Sequence, residues 1–277
     1  MATPSATAAG TITIGGDLTV NRLGLGTNRI LDDDASRQVL RRALELGVNF
    51  VDTADVYGEH VTERVIGSAL APYPPGLVIA TKGGMVITGA GGRGADGSPG
   101  YLENAVAESL ARLKRDCIDL YFLHRVDPKV PLKETMSGLR RLQDSGKIGH
   151  IGLSSVGVEQ IEEARKHANV AAVQNSYNIS DRAHEPVLDY CERERIPFVA
   201  YYPLRTMKLA DRARELEPLL RRHSATPRQL ALAWLLKRSP VLVPIPGTLS
   251  VAHLEENVAA ASIVLEARDV AAISSSA

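Results

Sequence analysis

Only two cysteines occur in this chain, Cys117 and Cys191, and neither belongs to a CxxC pair or a metal-type cluster. That scarcity removes the basis for a disulfide framework or a structural metal, so the expectation is two ordinary thiols in a reducing compartment and no metal site. Net charge is also missing. Lys plus Arg and Asp plus Glu number 32 each, so the chain as a whole has no electrostatic reason to seek nucleic acid or an anionic membrane, and any anion site must be local. No apolar run approaches the roughly 20 residues that span a bilayer. The stretch Met1 to Gly10 is small and polar, without the basic start or apolar core of a secretory signal. Together these absences predict a cytoplasmic protein.

What is present is enough apolar material for one large core: 44% of 277 residues are hydrophobic. Short β-branched runs alternate with longer segments of helical periodicity, the pattern of repeated βα units around a parallel sheet. After an N-terminal hairpin at 11–20, eight strands are expected, near 22–26, 48–52, 77–82, 118–124, 150–154, 171–175, 197–203 and 241–245. Helices fit between them at 35–46, 62–71, 102–115, 132–144, 158–167, 184–195, within 209–238, and at 251–259, with one extra C-terminal segment at 266–274. Eight units predict an α/β fold of the closed (β/α)8 type, a TIM barrel with an N-terminal β-hairpin and one extra C-terminal helix. An open doubly wound sheet is the alternative, but Gly24-Leu-Gly26 lacks the third glycine of a dinucleotide fingerprint. Residues 1–10 are expected to be disordered and 11–277 to form a single domain.

Active residues of such barrels sit at the C-terminal ends of the strands and in the loops that follow. Four polar residues fall there: Asp52 and Tyr57 after the second strand, Lys82 closing the third and His124 closing the fourth. Taken singly, each has a structural explanation, as a turn cap, a packed ring, a solvated strand end or a satisfied core imidazole. As a set they make chemical sense, because Leu77-Val-Ile-Ala-Thr-Lys82 carries a charge off an apolar core, where Asp52 is the natural partner. A Lys beside Tyr57 is expected to lower the phenol pKa toward the working range of a general acid, and His124 to orient a substrate oxygen. The Gly-rich segment 83–100 follows the third strand, either as a disordered connection or as a mobile lid.

From Arg22 to Asn257 the chain resembles the aldo-keto reductase superfamily. The resemblance rests on Arg22-Leu-Gly-Leu-Gly-Thr27, Phe50-Val-Asp-Thr-Ala-Asp-Val-Tyr-Gly58 followed by Glu63, Ala80-Thr-Lys82, Leu120-Tyr-Phe-Leu-His124, Gly146-Lys-Ile-Gly-His-Ile-Gly-Leu-Ser154, Val173-Gln-Asn-Ser-Tyr177, Ala200-Tyr-Tyr-Pro-Leu204, Ile245-Pro-Gly-Thr248 and Leu254-Glu-Glu-Asn257. It implies reduction of a small-molecule aldehyde or ketone to the alcohol, with hydride from a nicotinamide. In this scheme Tyr57 is the proton donor, Lys82 and Asp52 tune it, and His124 orients the carbonyl. The same fold also serves non-catalytic nicotinamide-binding subunits such as the potassium-channel β proteins, which is the alternative function.

The resemblance also implies a cofactor site of Thr27, Asp52, Ser154, Gln174, Tyr201, Leu204, Arg205, Gly247, Thr248, Ser250, His253, Glu256 and Asn257. Ser154 and Gln174 would hold the carboxamide, Tyr201 would stack on the nicotinamide, and Glu256 with Asn257 would meet the adenine. Position 155 departs, with Ser155 in place of the frequent Asn. Gly247 and His253 stand where many relatives carry a Lys and an Arg for the 2′-phosphate. The form Ile-Pro-Gly-Thr followed by His, together with Gln174-Asn-x-Tyr-Asn-Ile179, resembles the branch that includes bacterial pyridoxal reductases. NADPH is expected, with NADH as the alternative. In place of the missing cations, the phosphate is expected to meet the N–H groups of 247–251, the hydroxyls of Thr248 and Ser250, and His253.

Overall fold

The structure, a computed structural model, describes residues 3–89, 92–205 and 213–275. It opens with an antiparallel hairpin, β1 (Thr11–Ile14) and β2 (Leu18–Asn21), turned by Gly15 and Gly16 at φ 67° and 100°. Then come β3 (Leu25–Gly26), α1 (Asp34–Glu45), β4 (Phe50–Asp52), α2 (Val61–Leu70), β5 (Val78–Gly83), a second hairpin of β6 (Met85–Thr88) and β7 (Gly92–Ala95), and α3 (Pro99–Leu113). The chain continues through β8 (Ile118–Leu123), α4 (Leu132–Asp144), β9 (Ile148–Ser154), α5 (Val158–Arg165), β10 (Val170–Ser176), α6 (Glu185–Glu194) and β11 (Phe198–Tyr201). Two further helices, α7 (Ala213–His223) and α8 (Pro227–Arg238), precede β12 (Leu242–Pro244), α9 (Val251–Ala259) and α10 (Ala267–Ser275).

Eight strands lie side by side in the order β12-β11-β10-β9-β8-β5-β4-β3, all pairings parallel. The two ends of this sheet meet: Gly24 donates its N–H to the Pro244 carbonyl at 3.0 Å and Gly26 donates to Pro246 at 3.4 Å. The architecture is therefore the expected α/β barrel with an N-terminal hairpin. Glycine is required along the seam, because a Cβ on Gly26 would stand 2.7 Å from the Ile245 carbonyl oxygen. This is also why the first strand is shorter than the expected 22–26. Only Leu25 and Gly26 pair regularly with β4, while Gly24 is already turned toward the closing strand.

Side chains alternate across each strand, and so the protein has two apolar layers. Phe50, Val78, Leu120, Phe122, Ala172, Val199 and Val243 fill the barrel interior, where Ile14 and Val20 of the hairpin plug one end. The outer layer joins the strands to the helices and includes Leu40, Ile66, Leu102, Leu139, Leu188 and Trp234.

One expectation is corrected and two are made more specific. Residues 3–10 are ordered: Ser5 caps a 3-10 turn at Ala6–Ala9, Ala6 is buried, and its N–H donates to the Leu46 carbonyl at 2.8 Å. Residues 1 and 2 lie outside the described set. The segment after β5 is a hairpin, with Met85 opposite Ala95 and Ile87 opposite Arg93; its residues 90 and 91 are outside the described ones. The helical region expected within 209–238 is two helices, broken at Ser224 with φ 47° and restarted by a Thr226–Gln229 capping box ahead of Pro227. Its first residues, 209–212, are not among those described. No helix among the described residues is long and apolar enough to cross a membrane.

Candidate active site

The geometry of the site follows from how β4 continues past its last regular residue. Beyond Asp52, Thr53 donates to the Ala80 carbonyl at 2.8 Å and Asp55 donates to the Lys82 carbonyl at 3.1 Å. The chain is thus held along β5 before it turns at Ala54–Tyr57, where the Tyr57 N–H meets the Ala54 carbonyl at 3.2 Å. Asp55 stiffens that turn by accepting the Val56 N–H at 2.7 Å. As a result the Tyr57 ring lies over the end of β5, with the Lys82 Nζ 5.2 Å from its centroid.

Lys82 is 1% exposed and Asp52 2%. A buried ammonium is costly unless its donors are used, and here they are. Lys82 Nζ donates to Asp52 Oδ1 and to the Thr53 carbonyl, both at 2.6 Å. The second carboxylate oxygen of Asp52 accepts from Gln174 Nε2 at 2.7 Å, and the Asp52 carbonyl accepts both the Thr27 hydroxyl at 2.8 Å and the Thr27 N–H at 3.0 Å. Burial works against the ammonium form of Lys82, but Asp52 and Tyr57 outweigh it and hold the pKa above the usual lysine range.

The Tyr57 phenol departs from expectation. Burial pushes its pKa above the ordinary tyrosine value, and the Lys82 cation only partly offsets this because Asp52 opposes it. The ring is consequently protonated at neutral pH. His124 lies just past β8, held by its N–H to the Gly83 carbonyl at 2.8 Å, and meets Tyr57 edge to face with centroids 6.0 Å apart. Burial first, then the cations Lys82, Arg125 and Arg93, hold its pKa well below the usual histidine value. It is a neutral imidazole, and its buried Nδ1 has no partner among the described residues.

The remaining expected residues divide into two groups. Ser154 and Gln174 are buried neighbours at the ends of β9 and β10, paired in register. Ser155 follows in a left-handed conformation (φ 58°), its hydroxyl 3.2 Å from the Tyr201 phenol and 3.4 Å from the Ser154 hydroxyl. The shorter side chain at 155 is thus part of the cluster, a contact that sequence reading did not foresee. Leu204 is partly buried, and Arg205 stacks its guanidinium 4.8 Å from the Tyr202 ring.

The second group lies around the start of α9. Thr248 is 7% exposed and its Oγ1 accepts the Ser250 N–H at 3.1 Å, while Ser250 caps the helix by accepting the His253 N–H at 3.4 Å. Of the donors expected to face a phosphate, the Ser250 N–H is therefore already engaged and the Thr248 hydroxyl donates to the Ser250 carbonyl at 3.4 Å, whereas the Ser250 hydroxyl, an acceptor toward His253, keeps its own proton to donate. The N–H groups of Gly247, Thr248 and Leu249 have no acceptor among the described residues. His253 is exposed. Glu256 is tied to the Thr226 hydroxyl at 2.6 Å. Asn257, 2% exposed, leaves its Oδ1 without a partner among the described residues. An orphaned buried amide oxygen on a helix that follows a run of free N–H groups fits an elongated ligand bearing phosphate and hydrogen-bond donors.

Sequence reading also missed a second polar pocket beside the first. Asp55, Glu63, Thr81, Ser109 and Tyr121 are all buried there, with Arg112 binding Glu63 Oε2 at 2.6 Å and Thr81 donating to Glu63 Oε1 at 2.6 Å. Asp55 and Glu63 both stand within the quoted motifs, and alternation about Lys82 was the available signal that Thr81 and Gly83 face the other way. Among the described residues no group of His, Cys, Asp and Glu could hold a metal ion.

Comparison with known proteins bears on this arrangement. Residues 21–277 match the family described as aldo/keto reductase. An uncharacterized oxidoreductase of Schizosaccharomyces pombe is 44% identical over 94% of this chain and 87% of its own length. The pyridoxine 4-dehydrogenase of Escherichia coli is 39% identical, covering 90% of this chain and 92% of that one. Among solved structures, a thermostable aldo-keto reductase bound to the inhibitor epalrestat superposes with a TM-score of 0.85 at 31% identity, covering 96% of this chain and 98% of that one. An aldo/keto reductase from Klebsiella pneumoniae in complex with NADP and acetate gives 0.83 at 29% identity, covering 95% and 93%. With a polar cluster at the strand ends of a closed barrel and a family match over nearly its whole length, the chain belongs to the aldo/keto reductase family.

Proposed function

We propose that this protein is a cytoplasmic, NADPH-dependent carbonyl reductase in which Tyr57 gives the proton. The observation that carries the reading is the buried Lys82–Asp52 pair at 2.6 Å beneath a protonated Tyr57. When bound, a nicotinamide coenzyme would supply the hydride. Tyr57 Oη passes its proton to the carbonyl oxygen as negative charge grows there, and Lys82 stabilises the phenolate left behind. Asp52 and Gln174 keep Lys82 charged and fixed, while neutral His124 offers an N–H to the same oxygen without competing as an acid.

Ser154 and Gln174 are suited to an amide, Tyr201 to an aromatic ring, and the loop 247–250 with Asn257 to the phosphate and adenine portions. Support for NADPH comes from the Klebsiella pneumoniae relatives crystallised with NADP and with NADPH. Two free cysteines, Cys117 and Cys191, accord with a reducing compartment.

Tyr57→Phe tests the reading. Turnover of a generic aldehyde by the NADPH-loaded enzyme is expected to fall by at least a thousandfold, on the order of what a positioned general acid contributes, while NADPH affinity measured by fluorescence stays within about twofold, a span of roughly 0.4 kcal/mol. Wild-type turnover in the Phe variant would remove Tyr57 from the role. Wild-type protein that oxidises one equivalent of NADPH and then stops would instead indicate a regulatory subunit.

A further inference from the structure

Tyr57 stands on a loop that the fold holds in an uncommon shape. The three residues after it, Gly58, Glu59 and His60, have φ of 56°, 52° and 71°. Left-handed backbone is easy for glycine and disfavoured for Glu and His, so Glu59 and His60 keep it only because the flanks are fixed. The far flank is fixed by Glu63 on α2, which is fully buried and accepts from the Thr81 hydroxyl at 2.6 Å, Arg112 Nε at 2.6 Å and the Ser109 hydroxyl at 3.2 Å. β5 and α3 thereby grip the start of α2.

The near flank depends on Asp55. Its backbone N–H donates to the Lys82 carbonyl at 3.1 Å, and its side-chain Oδ1, at 2.7 Å, is the one acceptor that the Val56 N–H has among the described residues. Val56 belongs to two successive turns: the Ala54 carbonyl accepts the Tyr57 N–H at 3.2 Å, and the Val56 carbonyl accepts the Glu59 N–H at 3.3 Å. Holding Val56 therefore fixes both the turn that carries Tyr57 and the left-handed stretch behind it. The other oxygen of Asp55 is seated against β5, where a Cβ on Gly83 would stand 3.3 Å from Asp55 Oδ2 and 2.0 Å from the Tyr121 oxygen. Only glycine at 83 leaves room for both groups.

We propose that Asp55 is a positioning residue of the reaction: by holding the Val56 N–H, its carboxyl oxygen fixes the loop in the conformation that keeps the Tyr57 ring 5.2 Å from Lys82 Nζ and 6.0 Å from the His124 ring. The inference rests on the reductase reading and adds to it a residue on the outer face of β5. Without this hold the proton donor is misplaced, and a misplacement of about 1 Å can cost on the order of a hundredfold in rate. Burial and the Glu63 charge push the Asp55 carboxyl up to about 7, so below neutrality it offers one carbonyl oxygen to accept and one O–H to donate. An Asn side chain offers the same pair of functions.

The test compares Asp55→Ala, Asp55→Leu and Asp55→Asn with the wild type, as full-length NADPH-loaded enzyme reducing para-nitrobenzaldehyde below neutral pH. Ala and Leu remove the acceptor, Leu while keeping the number and branching of heavy atoms, and Asn retains it. The expected result is a kcat at least about tenfold lower in Ala and Leu, with the aldehyde KM and the NADPH Kd within about twofold, and a kcat within about threefold of wild type in Asn. Hydrogen exchange at the Val56 and Tyr57 amides, followed by NMR, should quicken in Ala and Leu only.

Wild-type kcat in Ala and Leu, or an equal loss in Asn, overturns the proposal. Loss of the fold in both Ala and Leu overturns it too, since Asp55 would then be a structural group only. If the wild type reduces no aldehyde, the reductase reading fails on its own. Amide exchange still decides whether Asp55 holds the loop: faster exchange in Ala and Leu but not in Asn supports that hold, and unchanged exchange refutes it.

Discussion

Asp52 and Asp55 stand three positions apart and are each 2% exposed, yet they serve opposite faces of β5. Asp52 meets Lys82 on the barrel side, with a second donor from Gln174. Asp55 lies on the side of Gly83 and Thr81, where among the described residues it accepts only the Val56 N–H and its neighbour is another acid, Glu63. Arg112 serves Glu63 and not Asp55. Burial, followed by the Glu63 charge, pushes the Asp55 carboxyl up to about 7. Equal burial therefore gives two different acids. Burial raises both carboxyls, but at Asp52 a cation 2.6 Å away and the Gln174 amide work against it, whereas Asp55, beside the Glu63 charge, has no such partner and reaches about 7.

Breaking the first side should have the largest effect. Lys82→Met leaves Asp52 buried without its cation, and removal of one partner of a buried pair costs roughly 3–5 kcal/mol. Under the proposed mechanism the phenolate also loses its stabilising charge, so turnover should become undetectable even in molecules that remain folded. Thermal unfolding, NADPH affinity and turnover measured on one preparation separate the two effects. Full activity in a folded Lys82→Met protein would sink the mechanism, whereas simple unfolding would be exposed by the binding assay.

The second side predicts the opposite sign. Folded Asp55 holds its proton up to about pH 7, while the unfolded residue releases it near the ordinary carboxyl value of 3.8. Between those values the folded state binds the extra proton, so this group's contribution to stability falls as pH rises and levels off above 7. Neutral, nearly isosteric Asp55→Asn should then stabilise the protein by on the order of 4 kcal/mol at pH 8 and by less than half of that at pH 5. Urea unfolding at the two pH values measures this. Equal gains at both would mean that Asp55 is ionised throughout.

How much of this was legible in the sequence depends on the length scale of the signal. Strand order and the convergence of Asp52, Tyr57, Lys82 and His124 follow from βα alternation and from strand ends, which are local patterns. Helices at 132–144 and 251–259 appear with the expected bounds: the first lies between Pro131 and the Ser145-Gly146 turn, and the second starts at the Ser250 cap, although its end runs on into a 3-10 turn at Ala260–Ser262. The Asp55 pocket was not legible, since it depends on which residues across β5 and α3 offer partners, and Arg112 lies 49 positions from Glu63. The direction of the Tyr57 shift was missed for the same reason. A nearby Lys argues for a lowered pKa, and only the full packing shows that burial outweighs it. The hairpin at 85–95 was hidden by a glycine-rich composition that also suits a loop.

The smallest expected effect concerns the other end of the proposed coenzyme, where neutral groups stand in place of cations. At the mouth, Lys82 brings a full charge to Tyr57. At the start of α9, by contrast, Thr248 and Ser250 spend part of their hydrogen-bonding capacity capping their own helix, and His253 stands exposed. A 2′-phosphate held by neutral donors gains less than one held by guanidinium, since charge-assisted hydrogen bonds are about twice as strong as neutral ones. The wild-type preference for NADPH over NADH should accordingly be shallow. His253→Arg would install the missing cation. One added charge-assisted contact, worth about 1.5 kcal/mol, should raise the ratio of the two dissociation constants by roughly tenfold. His253→Ala should lower it by no more than about threefold, consistent with loss of a neutral hydrogen bond of about 0.5 kcal/mol. Both ratios come from titrating NADPH and NADH into the apo protein by fluorescence. A ratio unmoved by the Arg variant would show that position 253 does not face the phosphate, and a wild-type preference for NADH would overturn the coenzyme assignment.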